Sequence, residues 1–120
     1  MNGPIDLTAA GGDAGPLWGM QSDDLNATLL SWPAGGGVAE HVNDQLDVLI
    51  VVLDGTASVT LDGSAHPLSA GHLLLIPRGC ARAVEAGSEG VRYLSIHRRR
   101  GPLLPAGRPG SEQGDSAARE

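Results

Sequence analysis

Leu46-Asp47-Val48-Leu49-Ile50-Val51-Val52-Leu53-Asp54-Gly55-Thr56-Ala57-Ser58-Val59-Thr60-Leu61-Asp62-Gly63 is the stretch that decides the fold. Its first part, residues 46–53, is a nearly continuous apolar run rich in valine. It is too short for a typical helix and too β-branched to prefer one, so it reads as a strand buried on both faces. Asp54-Gly55 reads as a tight turn between paired antiparallel strands. Residues 56–61 alternate along the chain as a half-buried strand does. They end at a second turn, Asp62-Gly63.

The same pattern continues in both directions. Residues 65–68 form a short candidate strand, and Ala70-Gly71 turns again. Residues 72–76 are another apolar strand, ended by Pro77, and 81–85 and 91–97 complete the set. Upstream, residues 25–32 make a strand stopped by Pro33 and by Gly35-Gly36-Gly37. No helix of normal length is evident. Short strands with a turn every eight to twelve residues predict an all-β sandwich or barrel. The 18 glycines and 8 prolines agree with frequent turning.

A chain of 120 residues suits one small domain. Aromatic residues are scarce (Trp18, Trp32, Tyr93 and no Phe), so the core must come from Leu, Val, Ile and Ala. Residues 1–15 read as a flexible arm with one short strand at most, around Ile5 to Leu7. Residues 16–100 read as the folded barrel. Residues 101–120 have almost no apolar content after Leu104, so they cannot bury enough surface to offset their ordering entropy. A disordered tail is expected there.

Charge narrows the partners. The basic residues are eight arginines, with no lysine, and the formal net charge is −6. A nucleic-acid binder would show a basic stripe. The one basic run, Arg98-Arg99-Arg100, reads as a solvated strand end, so no nucleic-acid partner is expected. No run of ~18 apolar residues is present to span a membrane. No basic region followed by an apolar run opens the chain. Cys80 is the only cysteine, which precludes an internal disulfide. A cytoplasmic protein is expected.

Two segments now resemble the paired motifs of the cupin superfamily. In the first, Gly35 is followed by five residues and then His41, and the closing glycine falls on Gly55. In the second, five residues lie between Gly71 and Pro77, and Gly79 follows. Fifteen residues separate Gly55 from Gly71. The resemblance covers about residues 30–97 and implies a double-stranded β-helix, or jelly-roll, barrel. It also implies homodimerisation, as does a strand whose two faces both read as buried.

The departures from the family pattern bear on function. Metal-binding cupins hold one divalent ion with two histidines and a glutamate from the first motif and a histidine from the second. Here only His41 remains of that set. Asn43 stands at the second histidine, Val48 at the glutamate and Arg82 at the last histidine. Ala86 stands at the asparagine that follows. Asn43 is a weak neutral ligand, Val48 offers no donor, and Arg82 is a permanent cation. No metal or other cofactor is therefore expected at the usual position. A divalent transition metal is the alternative, through a rearranged set of His41, Asp47 and His97. Asp47 should point away from the Val48 side unless a bulge shifts the register.

Arginine in place of a donor imidazole reverses the ligand preference. His41, Asn43 and Arg82, with apolar walls from Val48, Ile50, Val52 and Val84, suit a small carboxylate- or carbonyl-bearing metabolite. A buried guanidinium requires an acceptor, from Glu40, Asp44 or a ligand. Arginine is well shaped for a bidentate carboxylate contact. The leading reading is a metal-independent isomerase, cyclase or lyase. His41 would be the general acid or base and Arg82 the holder of a carboxylate or developing oxyanion. Asn43, Val48, Ile50, Tyr93 and His97 would bind substrate. The alternatives are a non-catalytic ligand-binding or sensory module, and a metal-dependent oxygenase with unusual ligands.

Tyr93, Ser95 and His97 share one face by the strand period, and that face is either the pocket or the exterior. Leu94 and Ile96 take the other. His66 and His72 read as surface residues, Cys80 as an inert thiol, and Trp18 and Trp32 as rim or interface residues.

Overall fold

The computed structural model describes residues 3–9, 11–12 and 14–99. The expected tail at 101–120 lies outside them. Leu7–Ala9 forms a single 3-10 turn. Seven strands follow: β1 (Gly15–Gln21), β2 (Leu25–Trp32), β3 (Gly37–Val42), β4 (Val48–Leu61), β5 (Ser64–Ser69), β6 (Leu73–Ile76) and β7 (Ala81–Arg98). Every pairing among them is antiparallel. No helix among the described residues is long and apolar enough to cross a membrane.

The two long strands define the architecture. The first half of β4, residues 48–52, pairs with the last half of β7 and with β6. β2 pairs with that same half of β7, and β1 with β2. The second half of β4, residues 57–61, pairs with residues 82–86 of β7 and with β5. β3 pairs with that first half of β7. The result is two sheets, β1-β2-β7-β4-β6 and β3-β7-β4-β5, sharing the strands that turn the corner between them. Their inner faces meet in one core containing Leu30, Val48, Ile50, Val52, Val59, Leu68, Ile76, Val84 and Tyr93. This is the expected all-β jelly-roll barrel.

Several sequence expectations are corrected. Asp54-Gly55 is not a hairpin turn. It lies between two register shifts, Val52/Asp54 and Gly55/Ala57, inside the continuous strand β4. A bulge adds an unpaired residue and bends the strand, which here lets β4 leave one sheet and enter the other. Gly55 has φ 79°, and a Cβ there would collide with the Gly90 carbonyl, so only glycine fits the corner. Residues 81–85 and 91–97 are likewise parts of one strand, β7. The apolar run 46–53 is not buried on both faces: Val48, Ile50 and Val52 are buried, Leu49 and Val51 are half-buried, and Leu53 is exposed. No strand forms around Ile5. β1 and β3 are strands that the sequence reading did not find.

Candidate functional site

One end of the barrel gathers the loops that carry the motif residues. The Gly79 amide donates to the Asn43 carbonyl at 2.8 Å, joining the β6–β7 loop to the β3–β4 loop. The Arg78 amide donates to Asp47 Oδ1 at 2.9 Å. The Asp62 amide donates to the Ala81 carbonyl at 2.8 Å, and the Ala81 amide donates back to Asp62 Oδ1 at 2.9 Å. Backbone and carboxylate bonds thus fix the rim of this mouth.

Just inside the rim, Arg82 lies directly across from His41 on β3 and from Leu61 on β4. Directly paired residues point to the same side of a sheet. Arg82 alternates with the buried Val84 and Ala86, so this side is the interior. Arg82 is 0% exposed. Its Nε donates to the Cys80 carbonyl at 3.1 Å, and its Nη1 and Nη2 have no partner among the described residues. Glu40 and Asp44, the carboxylates expected as possible partners, are exposed.

His41 is half-buried. Its Nδ1 lies 3.0 Å from the Ala39 carbonyl oxygen. In the neutral ring Nδ1 therefore carries the proton and Nε2 is the acceptor. Asn43 closes a turn: its Oδ1 accepts from the Gln45 amide at 2.9 Å and the Leu46 amide at 3.1 Å. The side-chain oxygen expected to meet a ligand is thus engaged in shaping the β3–β4 loop.

The opposite sheet answers the open question about β7. His97, Ser95 and Tyr93 face the interior, opposite Val48, Ile50 and Val52 respectively. Leu94 and Ile96 face outward. On the other flank the same residues meet Asn26, Thr28 and Leu30 of β2. Asn26 and Thr28 are buried, and the sequence reading missed both. Their two-residue spacing within 25–32 was the available signal. His97 Nδ1 is 2.9 Å from the Arg98 carbonyl oxygen and Nε2 is 3.2 Å from Asn26 Nδ2. The ring is therefore held as an Nδ1–H donor and an Nε2 acceptor. Trp32 Nε1 donates to the Tyr93 hydroxyl at 3.1 Å. Ser95 Oγ is buried without a partner among the described residues.

These residues do not fit a divalent ion. At the four positions that ligate metal in metallo-cupins stand one imidazole, an amide oxygen already used in a turn, a valine and a buried guanidinium. The rearranged set fares no better. Asp47 is exposed and holds the Arg78 amide, while both nitrogens of His97 are engaged. No group of three or more His, Cys, Asp and Glu side chains among the described residues could hold a metal.

Cys80 sits at this mouth, while His72, Arg98 and Arg99 lie away from it. Burial, then the Asp62 carboxylate, raises the Cys80 thiol above its usual pKa, which disfavours the reactive thiolate. His72 is exposed and its Nδ1 accepts from the Ser69 amide at 2.9 Å. Arg98 and Arg99 are exposed, and Arg99 holds the Ser22 and Asp24 carbonyls, as a solvated strand end would.

Comparison with known proteins agrees with this architecture. The family model described as "Cupin domain" matches residues 28–97. A cupin protein from Bacteroides fragilis is 28% identical with TM-score 0.59, covering 75% of this chain and 79% of its own. A conserved protein of unknown function from Streptococcus pyogenes is 23% identical with TM-score 0.67, covering 85% and 91%. KdgF from Halomonas sp. is 21% identical with TM-score 0.64, covering 68% and 74%. A search of curated proteins finds no match. With more than half its length matched by the family model and both motif frameworks on the barrel, the chain belongs to the cupin domain family.

Proposed function

We propose that this cupin binds a small carboxylate- or carbonyl-bearing metabolite inside its barrel without a metal, and transfers a proton on it through His41. The observation that carries this reading is Arg82, fully buried with both terminal nitrogens unpartnered. A buried cation without an acceptor is costly, several kcal/mol in general. A carboxylate offers the matching pair of acceptors, and charge-assisted bidentate bonds are the strong ones.

The roles follow from placement. Arg82 would hold the carboxylate, or an oxyanion that develops during reaction. His41 sits beside it on the same face, with Nε2 as an acceptor and Nδ1 oriented by the Ala39 carbonyl. That is the arrangement of a general base held in one tautomer. Val48, Ile50, Ile76 and Val84 supply an apolar wall that strengthens the ion pair. An isomerase, cyclase or lyase step moves a proton and requires no redox partner.

Calorimetric titration of EDTA-treated protein with butyrate tests the binding half. Binding is expected, and R82M should lose at least tenfold in affinity. Butyrate that does not bind, or that binds R82M equally well, overturns the reading. Once a turnover assay exists, H41A should abolish product while leaving butyrate affinity within a few-fold.

A further inference from the structure

Among the described residues, three buried side-chain polar atoms lack any partner: Nη1 and Nη2 of Arg82, and Oγ of Ser95. The two residues come from different sheets. Arg82 lies on the sheet that contains β3 and β5, in the layer just inside the mouth. Ser95 lies on the sheet that contains β1, β2 and β6, opposite Ile50 and Thr28 and one inward-facing layer below His97. Both point into the same core.

An orphaned buried hydroxyl costs about 1–3 kcal/mol, and natural interiors seldom leave one unless something satisfies it. Thr28 lies directly across from Ser95 on β2, but its hydroxyl makes no bond to Ser95 Oγ. His97 uses both ring nitrogens, and the Tyr93 hydroxyl accepts from Trp32. The side chains around Ser95 on β4 and β6, Ile50 and Leu74, are apolar. Among the described residues no group bonds Ser95 Oγ, just as none bonds Nη1 or Nη2 of Arg82.

We infer that one ligand satisfies both: a small hydroxy- or oxo-monocarboxylate, its carboxylate on Arg82 and its second oxygen on Ser95. This inference rests on the proposed carboxylate binding and narrows its substrate class. Arg82 presents only donors, so its partner is anionic. Ser95 can donate or accept, so its partner is a carbonyl or hydroxyl oxygen. Facing sheets pack about 10 Å apart. Arg82 is held towards the mouth by its Nε bond to the Cys80 carbonyl, so the ligand's carbon chain runs from the mouth layer inward to Ser95. The second oxygen lies away from the carboxyl group, because Ser95 sits one layer deeper on the opposite wall. The intervening carbons meet Val48, Ile50 and Val84.

Such a site discriminates strongly. A polar group built to meet a substrate oxygen rejects the analogue that lacks it, because the group is then left unpaired.

The test compares butyrate with 3-hydroxybutyrate and 4-hydroxybutyrate on wild-type protein and S95A, by calorimetry. The wild type should bind one hydroxylated acid at least tenfold more tightly than butyrate. S95A should erase that preference and leave butyrate affinity unchanged. S95A removes an unpartnered hydroxyl, so its fold should persist; circular dichroism checks this. Equal binding of all three acids, or a preference that survives S95A, overturns the two-point site while the carboxylate reading stands. That outcome leaves Ser95 to an ordered water. If none of the three acids binds the wild type, the carboxylate reading falls and this inference falls with it.

Discussion

Asp62 and Ala81 are joined twice, by Asp62 N to Ala81 O at 2.8 Å and by Ala81 N to Asp62 Oδ1 at 2.9 Å. This reciprocal pair fastens the β4–β5 turn to the first residue of β7, one position before Arg82. Asp62 is also the one described non-glycine residue with positive φ, 47°, a conformation that Asp and Asn tolerate better than most residues.

The bond from the Ala81 amide, followed by that from the Cys80 thiol, holds the Asp62 carboxyl below its usual pKa. The sign follows directly. The folded state binds this proton less readily than the unfolded state, so the contribution to stability is present above the unfolded value. It is lost as pH falls through the lowered folded value, in the range below pH ~4. D62A should lower the midpoint of thermal unfolding at pH 7, and the gap to wild type should close towards pH 2. D62N, which keeps an acceptor and tolerates positive φ, should fall less at pH 7. A gap independent of pH would show that the ionised carboxylate is not what matters.

Gly55 and Gly63 provide a matched comparison. Both have positive φ, 79° and 89°. At Gly63 a Cβ would meet open space, whereas at Gly55 it would lie within 2.9 Å of the Gly90 carbonyl carbon. G63A should cost only the left-handed strain, about 1 kcal/mol. G55A should cost about 2 kcal/mol or more, because the corner backbone of β4 and β7 must also move. Denaturant unfolding of the two variants measures the difference. Equal costs would mean that the close approach at the corner relaxes freely.

The comparison also shows how far local signals carry. Asp54-Gly55 has the composition of a hairpin turn, and local chemistry cannot distinguish a turn from a bulge in a strand that changes sheets. What distinguishes them is the long-range pairing of Asp54 with Arg92 and Gly55 with Val91. Residues 37–42 begin on the last of three glycines and include Glu40 and His41, so β3 lacks an alternating apolar signal. It is a strand because β7 offers it an edge. The inward direction of Arg82 follows from motif spacing together with the two-residue period. The inward direction of Asn26 and Thr28 was hidden because polar residues alternating with apolar ones read as an outer face. Here the inner face of β2 sets Asn26 and Thr28 beside the equally inward His97 and Ser95 of β7.

The outer face of the first sheet should pair with a second copy of the chain. Register places Leu75, Leu49, Ile96, Ala27 and Met20 in one row across five strands, and Leu73, Val51, Leu94, Leu29 and Trp18 in the next. Leu29 is already covered within the chain, but Leu73 and Leu75 are 60% and 50% exposed. A contiguous apolar patch of this kind marks an interaction surface, and packing it on its own copy about a twofold axis buries both rows at once. Light scattering at ~50 μM should report a dimer. L73K/L75K should convert it to a folded monomer. A wild-type monomer at that concentration would refute the pairing.

Replacing Arg82 should stabilise the free protein. Removing one partner of a buried ion pair is normally destabilising because it strands the other charge. Arg82 has no such partner, since Nη1 and Nη2 are buried and unpaired and only Nε is engaged, by the Cys80 carbonyl. R82M keeps much of the side-chain volume, removes the desolvated charge and gives up one hydrogen bond of about 1 kcal/mol. The net gain should be about 1–2 kcal/mol, which raises the thermal midpoint of a domain this size by roughly 4–12 °C. Scanning calorimetry without added ligand, in a buffer free of carboxylates and phosphate, measures it directly. The same scan with excess butyrate should raise the wild-type midpoint and leave that of R82M unmoved. A lower midpoint for R82M in the ligand-free scan would mean that the guanidinium already has its acceptor within the folded chain.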